Sequence, residues 1–370
     1  MSKSLGKNQS YCREINFELV IDLLRKESRS ATQLADILGL SNATMSSIIK
    51  ALLDLKMIEV ANSASIKGSG RKQVFYTLNS KFGLILVVNI AHRKADISIT
   101  NIKEENIAYA SMPITGLDDK NVQEVILKAN ELLFNCHNEA PLKNIVISIS
   151  GLVKDKTEGN EKHFVQTAFE KQFHNVPTYL TNDGNLITYG ELSKGLFSKE
   201  IRNGIVVLLD YGIGGAFVID KELYKADNGF SGEFGHLVCI KDNHLEFIED
   251  VISLRCLLEE AEKIVHKELK IEELIELFKT NPEVHRLVIE SATVLGESLR
   301  SLIDVTDITN VVIAGRVTHF GDEYLEEVRS KTNKTISKSN VIFSSLNDKG
   351  QMIGGAFIGV DYILKKSLEK

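Results

Sequence analysis

Apolar residues recur at helical spacing through residues 14–27 (Ile15, Leu19, Val20, Leu23, Leu24), which predicts a first helix. The period resumes in Ser30-Ala31-Thr32-Gln33-Leu34-Ala35-Asp36-Ile37-Leu38-Gly39-Leu40-Ser41-Asn42-Ala43-Thr44-Met45-Ser46-Ser47-Ile48-Ile49. Leu34, Ile37, Leu40, Met45, Ile48 and Leu52 form the apolar stripe of a helix pair. Ala35 is small where the two helices cross, and Gly39 supplies the residue tolerant of positive φ that a tight turn requires. Ser41 is placed to cap the second helix, predicted to run on to Met57. Ile58–Val60, the turn-rich 61–70 and Lys72–Leu78 then read as strand, loop and strand. Residues 1–80 are therefore expected to form a winged helix-turn-helix.

Such a pair presents its second helix to a DNA major groove. Asn42, Thr44, Ser46 and Ser47 are short polar side chains on that helix, suited to base edges and phosphates. Thr32 and Lys50 complete the expected contacts of the pair. The wing tip, Lys67-Gly68-Ser69-Gly70-Arg71-Lys72, sets glycines beside cations, with Arg71 and Lys72 expected on the backbone or in the minor groove. A solvated hairpin tip has the same composition.

From residue 83 the pattern changes. Gly83–Ile90, Ala95–Thr100 and Ile107–Met112 read as successive strands, followed by a helix over about 119–137, a buried strand at Asn144–Ser150 and an edge element near 177–181. The order then repeats in kind. A helix over 184–195 leads to strands Gly204–Asp210 and Gly215–Asp220, long helices between 246 and 305, and strand Asn310–Ala314; helix 321–333, strand Val341–Ser344 and helix 349–366 end the chain. Strands with crossover helices, twice over, predict an α/β body (residues 81–370) of two lobes around a cleft. Lobe one is expected over about 81–190 plus the C-terminal helix, and lobe two over about 191–350.

Charge sharpens this division. Residues 1–80 carry 11 Lys+Arg against 7 Asp+Glu, whereas the other 290 carry 33 against 43. A basic head on an acidic body fits a head that binds a polyanion. No apolar run reaches the roughly 18 residues of a membrane span, and Met1–Lys7 lacks the apolar core of a signal peptide. Cys12, Cys136, Cys239 and Cys256 are scattered, as expected in a reducing cytoplasm.

Four segments of the body carry site-like chemistry: Thr181-Asn182-Asp183-Gly184-Asn185 at a strand–helix junction, the glycine-rich turn Asp210-Tyr211-Gly212-Ile213-Gly214-Gly215, Ser231-Gly232-Glu233-Phe234-Gly235-His236, and Leu245-Glu246, expected to start the next helix. An Asp at a strand end beside an Asn can hydrogen-bond sugar hydroxyls or act as a base toward one; the same pair can equally be an N-cap. In this order the four segments resemble the ROK family of repressors, sugar kinases and open reading frames, closest to sugar-responsive repressors with an N-terminal winged helix. The resemblance spans nearly the whole chain. It implies a body of two ribonuclease-H-like lobes, as in actin-like ATPases and sugar kinases, and a sugar pocket formed by Asn182, Asp183, Glu233, His236 and Glu246. Ile149-Ser150-Gly151-Leu152-Val153 is similar to the family's strand–Gly loop beside the sugar, which adds Gly151.

Three departures from the family pattern bear on function. Kinase members carry an Asp-x-Gly-x-Thr type phosphate loop after the first strand, where this chain has Asn89-Ile90-Ala91-His92-Arg93. Asp210-Tyr211 precede Gly212, placing a carboxylate and a ring where the family form begins Gly-Thr-Gly. The run from His236 to Glu246 lacks the Cys-x-Cys-Gly-x-x-Gly-Cys zinc loop, retaining only Cys239 and His244 as ligand types. The expectation is a cytoplasmic, non-enzymatic, sugar-responsive transcriptional repressor with no catalytic residue, cofactor or metal. Its expected partners are a double-stranded DNA operator, a sugar or sugar derivative and further copies of itself as homodimer or homotetramer, with no membrane. A sugar kinase with a DNA-binding head and a regulator controlled by a protein partner remain as alternatives.

Overall fold

The computed structural model describes residues 9–61, 73–150, 163–174 and 176–368. The head consists of α1 (Gln9–Lys26), β1 (Arg29–Ser30), α2 (Ala31–Leu38), α3 (Asn42–Asp54), β2 (Ile58–Val60) and β3 (Phe75–Leu78), its strands ordered β1-β3-β2. The caps follow the sequence reading. Ser30 accepts from the Gln33 N–H in a capping box, Gly39 ends α2 at φ +64°, and Ser41 accepts from the Thr44 N–H. Two expectations are corrected. Helix α3 stops at Asp54, because Met57 turns inward to become fully buried, and Ile37 is half exposed rather than part of the stripe.

Lobe one follows with β4 (Leu84–Ala91), β5 (Lys94–Asn101), β6 (Asn106–Pro113), α4 (Asp119–Asn135), β7 (Leu142–Ile149), α5 (His163–Gln172), β8 (Thr178–Thr181) and α6 (Asp183–Ser193). Lobe two contains β9 (Gly204–Leu209), β10 (Ile213–Ile219), β11 (Glu222–Leu223), β12 (Val238–Lys241), β13 (His244–Phe247) and α7 (Glu249–Ile252). It continues with α8 (Leu254–Val265), α9 (Ile271–Thr280), α10 (Pro282–Thr306), β14 (Asn310–Ala314), α11 (Asp322–Thr332) and β15 (Asn340–Phe343). Helix α12 (Gly350–Leu368) returns to lobe one, packing on β4 and β7.

The two large sheets are built alike, in the orders β6-β5-β4-β7-β8 and β11-β10-β9-β14-β15. In each, the first three strands are antiparallel and the last two join parallel to the first. This duplication is the repeat visible in the sequence. The central strands are apolar on both faces because helices cover both, as the runs Leu84–Val88 and Ile205–Leu209 require.

Helix α6 lies between the sheets and packs on α12 at backbone distance. A Cβ at Gly354 would overlap the Leu186 carbonyl, and one at Gly190 would overlap that of Gly350. The α12 side chains Val360, Ile363 and Leu364 share one buried cluster with Phe17, Val20, Ile21 and Leu24 of α1, so the head's core is continuous with that of lobe one. None of the described helices is long and apolar enough to cross a membrane. Gly354→Ala is expected to force α6 and α12 apart, costing on the order of 3 kcal/mol; a fall of several degrees in Tm by calorimetry would show it, and an unchanged Tm would contradict this packing.

Candidate functional site

A cavity of about 530 Å³ opens between the lobes, floored by the start of α6 and walled by the β9–β10 turn and the 231–236 loop. Its position follows from strand ends. Strands β7 and β8 deliver Ser150 and Asn182 to the same sheet edge, the end at which α/β folds place ligands. Asn182 caps α6, accepting from the Asn185 N–H at 2.7 Å, which leaves its amide N–H₂ as a donor. Asp183 accepts the Gly184 N–H at 3.0 Å and the Ser150 hydroxyl. Burial is the largest influence on Asp183 and raises its pKa; the Ser150 hydrogen bond opposes this and the Asp210 carboxylate adds to it.

Glycines bring the other wall close. Gly232, at φ +87°, lies so near Gly215 that a Cβ would strike its carbonyl, which presses the Glu233–His236 segment onto β10. Glu233 and His236 thereby face the cavity opposite Asn182 and Asp183, with the His236 ring tilted on Phe247 at 4.9 Å. Glu246 does not join them. It lies in β13, opposite Cys239 on an exposed hairpin, because the helix expected to begin at Leu245 starts only at Glu249. Glu249 enters the cavity instead and accepts the Ile213 N–H at 2.8 Å, pinning the glycine-rich turn. It stands four residues before Ser253, the cap of α8, and that one-turn spacing was the available signal.

The sequence-predicted residues Asn182, Asp183, Glu233 and His236 thus line one cavity, and Gly151 lies outside the described residues. The lining offers carboxylate and hydroxyl acceptors beside amide and imidazole N–H groups, a set that matches the alternating donor and acceptor roles of vicinal hydroxyls.

Beside this set, two of the three sequence departures become structural. His92, in the β4–β5 turn, stacks on Tyr211 across the cleft at 3.5 Å and 9°. Burial, then the neighbouring Arg93 and Arg316, lowers the His92 pKa, favouring a neutral ring against Tyr211. Asp210 is clamped by Arg316, whose backbone N–H and Nε donate to it at 3.1 and 2.9 Å while Nη2 makes a further contact. The Asp210 charge is therefore answered inside the protein. Asn89 is buried in β4, its side-chain oxygen has no hydrogen-bond partner, and it is not among the residues lining the cavity. Among the described residues, no group of three or more His, Cys, Asp and Glu side chains is placed to hold a metal ion.

In the head, Thr32, Asn42, Thr44, Ser46, Ser47 and Lys50 are all exposed, while Met45, Ile48, Ile49 and Leu52 hold α3 from behind. Arg71 and Lys72 fall outside the described residues.

The ROK family model matches residues 119–361. The chain belongs to the ROK family. It is 28% identical over 288 residues to the xylose repressor of Staphylococcus xylosus, covering 74% of each chain. A crystallised ROK family transcriptional regulator, a homologue of the E. coli MLC protein, superposes with a TM-score of 0.78 over 96% of this chain and 98% of its own, at 16% identity. The ROK hexokinase of Thermus thermophilus superposes with a TM-score of 0.62 over 76% of this chain and 99% of its own, at 19% identity. At these identities the structural matches establish the fold. The transcriptional-regulator neighbour spans head and body, whereas the hexokinase leaves about a quarter of this ROK chain uncovered.

With its pKa raised, Asp183 makes the folded chain favour the proton, so its ionised form costs stability that grows as pH rises through the raised value. Asp183→Asn should therefore raise the Tm of the ligand-free protein by a few degrees near pH 7.5. The gain should shrink as the pH falls below the raised value into the ordinary carboxylate range, where the folded and unfolded chains both come to hold the proton. A gain that does not depend on pH, or a loss, would rule out this reading of the carboxylate.

Proposed function

We propose that this chain is a DNA-binding transcriptional repressor of carbohydrate-use genes whose effector is a sugar held between the lobes. The observation that carries the reading is one polar cavity lined by Asn182, Asp183, Glu233, His236 and Glu249, in a chain that also exposes a row of short polar side chains on the outer face of α3. The similarity to a xylose repressor makes an aldopentose the first effector to test. Asn182, Asp183, Glu233 and His236 are the proposed sugar contacts, with Glu249 in the place expected of Glu246. Thr32, Asn42, Thr44, Ser46, Ser47 and Lys50 are the proposed DNA contacts, joined by Arg71 and Lys72 of the wing. Palindromic operators match two-fold proteins, so the operator-bound species is proposed to be at least a dimer.

The proposed protein is not an enzyme. Asp183 could accept a hydroxyl proton, but phosphoryl transfer depends on positioning and neutralising the donor's phosphates. The strand that would lead into a phosphate loop carries Asn89 near its end and is followed by His92 in the turn. Tyr211 and the Asp210–Arg316 pair fill the adjoining wall. The run from Cys239 to His244 lies on the β12–β13 hairpin and does not supply a zinc ligand set, so no step is assigned to a metal.

Operator fragments from upstream of its own gene should be shifted in gels by the protein and released by D-xylose; no change across a broad sugar panel would remove the effector from the reading. Glu249→Gln should weaken sugar binding at least tenfold, since the charged acceptor that also holds the Ile213 N–H becomes a neutral amide, while Glu246→Gln should leave it unchanged. Calorimetric titration of both variants tests this, and equal effects would return Glu246 to the site. Lys50→Ala should lower operator affinity evenly across sequences and reduce the salt dependence by about one ion, read from binding at several salt concentrations.

A further inference from the structure

The turn between β5 and β6 touches the head twice. Lys103 pairs with Glu59 of β2 at 3.2 Å. Glu104, at φ +59°, meets Arg25 of α1, which donates from Nε at 3.2 Å and from Nη2 at 2.7 Å to its Oε1. Both members of that pair are about nine-tenths buried. The turn is stiff, since Asn101 Oδ1 accepts from the Lys103 and Glu105 N–H groups and its amide donates to Glu105.

The second Glu104 oxygen points elsewhere. Oε2 accepts from the Ser193 hydroxyl at 3.0 Å and lies 3.9 Å from Lys194 Nζ, at the C-terminal end of α6. The N-terminal end of that helix bears Asp183 in the cavity, about 15 Å away at 1.5 Å per residue. One carboxylate therefore joins the DNA-binding head to the far end of the helix that holds the ligand site. Arg25 reaches the same unit by a second route, donating to the Phe357 carbonyl of α12 at 3.3 Å and lying 4.3 Å over the Phe357 ring, which in turn stacks on Tyr189 of α6.

Rigidity decides whether a displacement travels along such a route. Gly190 and Gly354 let α6 and α12 meet backbone to backbone, and helices in such close contact have little soft side-chain layer there to absorb a shift. A movement of Asn182 and Asp183 toward a ligand is then carried to Ser193, Phe357 and the charge pair together.

We propose that Glu104 is a positioning residue for DNA binding: its carboxylate, shared between Arg25 of the head and Ser193 of α6, transmits the state of the interlobe cavity to the winged helix. This rests on the sugar-responsive reading above. A ligand shifts operator affinity only through its different affinities for two arrangements, and breaking the shared carboxylate leaves the head only the Arg25–Phe357 route to α6 and so sharply reduces its dependence on which arrangement α6 adopts.

The experiment is the ratio of operator dissociation constants with and without saturating D-xylose, for the full chain and for Glu104→Gln and the milder Arg25→Lys. The wild-type ratio is expected to be tenfold or more, within the usual range of such couplings. It should fall to within twofold in Glu104→Gln and to an intermediate value in Arg25→Lys, with the xylose-induced rise in Tm of the DNA-free variants retained. A variant that is only misfolded would lose that rise as well. Wild-type ratios in both variants would overturn the proposal. A wild-type protein that binds operator but ignores xylose would instead count against the effector reading, and amide exchange then decides on Glu104. Faster exchange in 9–26 of the Glu104→Gln protein with 119–135 unchanged supports the joint, and unchanged exchange in both overturns it.

Discussion

The arrangement of both lobes depends on the close approach of backbones around α6. At one end, Gly184 lies against Gly215, where a Cβ would come within 2.5 Å of the Gly215 N–H. At the other, the helix is locked to α12 through Gly190 and Gly354. Side chains at these positions would wedge the sheets apart and dissolve the cavity. Because the contacts are backbone to backbone, the lobes are set by hard-sphere distances rather than by adaptable side-chain packing. The same closeness puts the carboxylate of Asp183 where water cannot fully solvate it, so the tightness of the fold and the altered acidity of the site have one origin.

Much of this was legible in the sequence, for identifiable reasons. The head was readable because its signals are local: Ser30, Gly39 and Ser41 take their cap roles from residues three or four positions away. The two lobes were readable because each central strand is an uninterrupted apolar run between helical patterns. The clustering of Asn182, Asp183, Glu233 and His236 came from motif order, which periodicity alone does not supply. Glu246 failed because an apolar-polar alternation, Leu245-Glu246-Phe247, sits just before a helix start; the alternation belongs to a strand, and the helical register begins only at Glu249. Glu104 and Arg25 could not have been found, since 79 positions separate them and neither belongs to a pattern.

The head and the body share more than a linker. The cluster that contains Leu34, Met45 and Leu52 also contains Ile85, Val87 and Val360, so removing the head would expose an apolar face of lobe one. A winged helix merely tethered by a flexible segment would search for its site independently of the body. Here the core itself sets the angle of α1, and the polar contacts at Glu59 and Glu104 fix its rotation. The opposite net charges of head and body fit this arrangement, because an acidic body repels a polyanion that a basic head attracts.

The Asp210–Arg316 pair has a consequence for the economy of the cell. Arg316 already supplies the cation for Asp210, so under the proposed function a ligand enters without magnesium or nucleotide and nothing is consumed. Under the proposed function, occupancy is then an equilibrium reading of sugar concentration that does not vary with the supply of adenine nucleotides. A starving cell and a well-fed one at the same internal sugar level would receive the same signal.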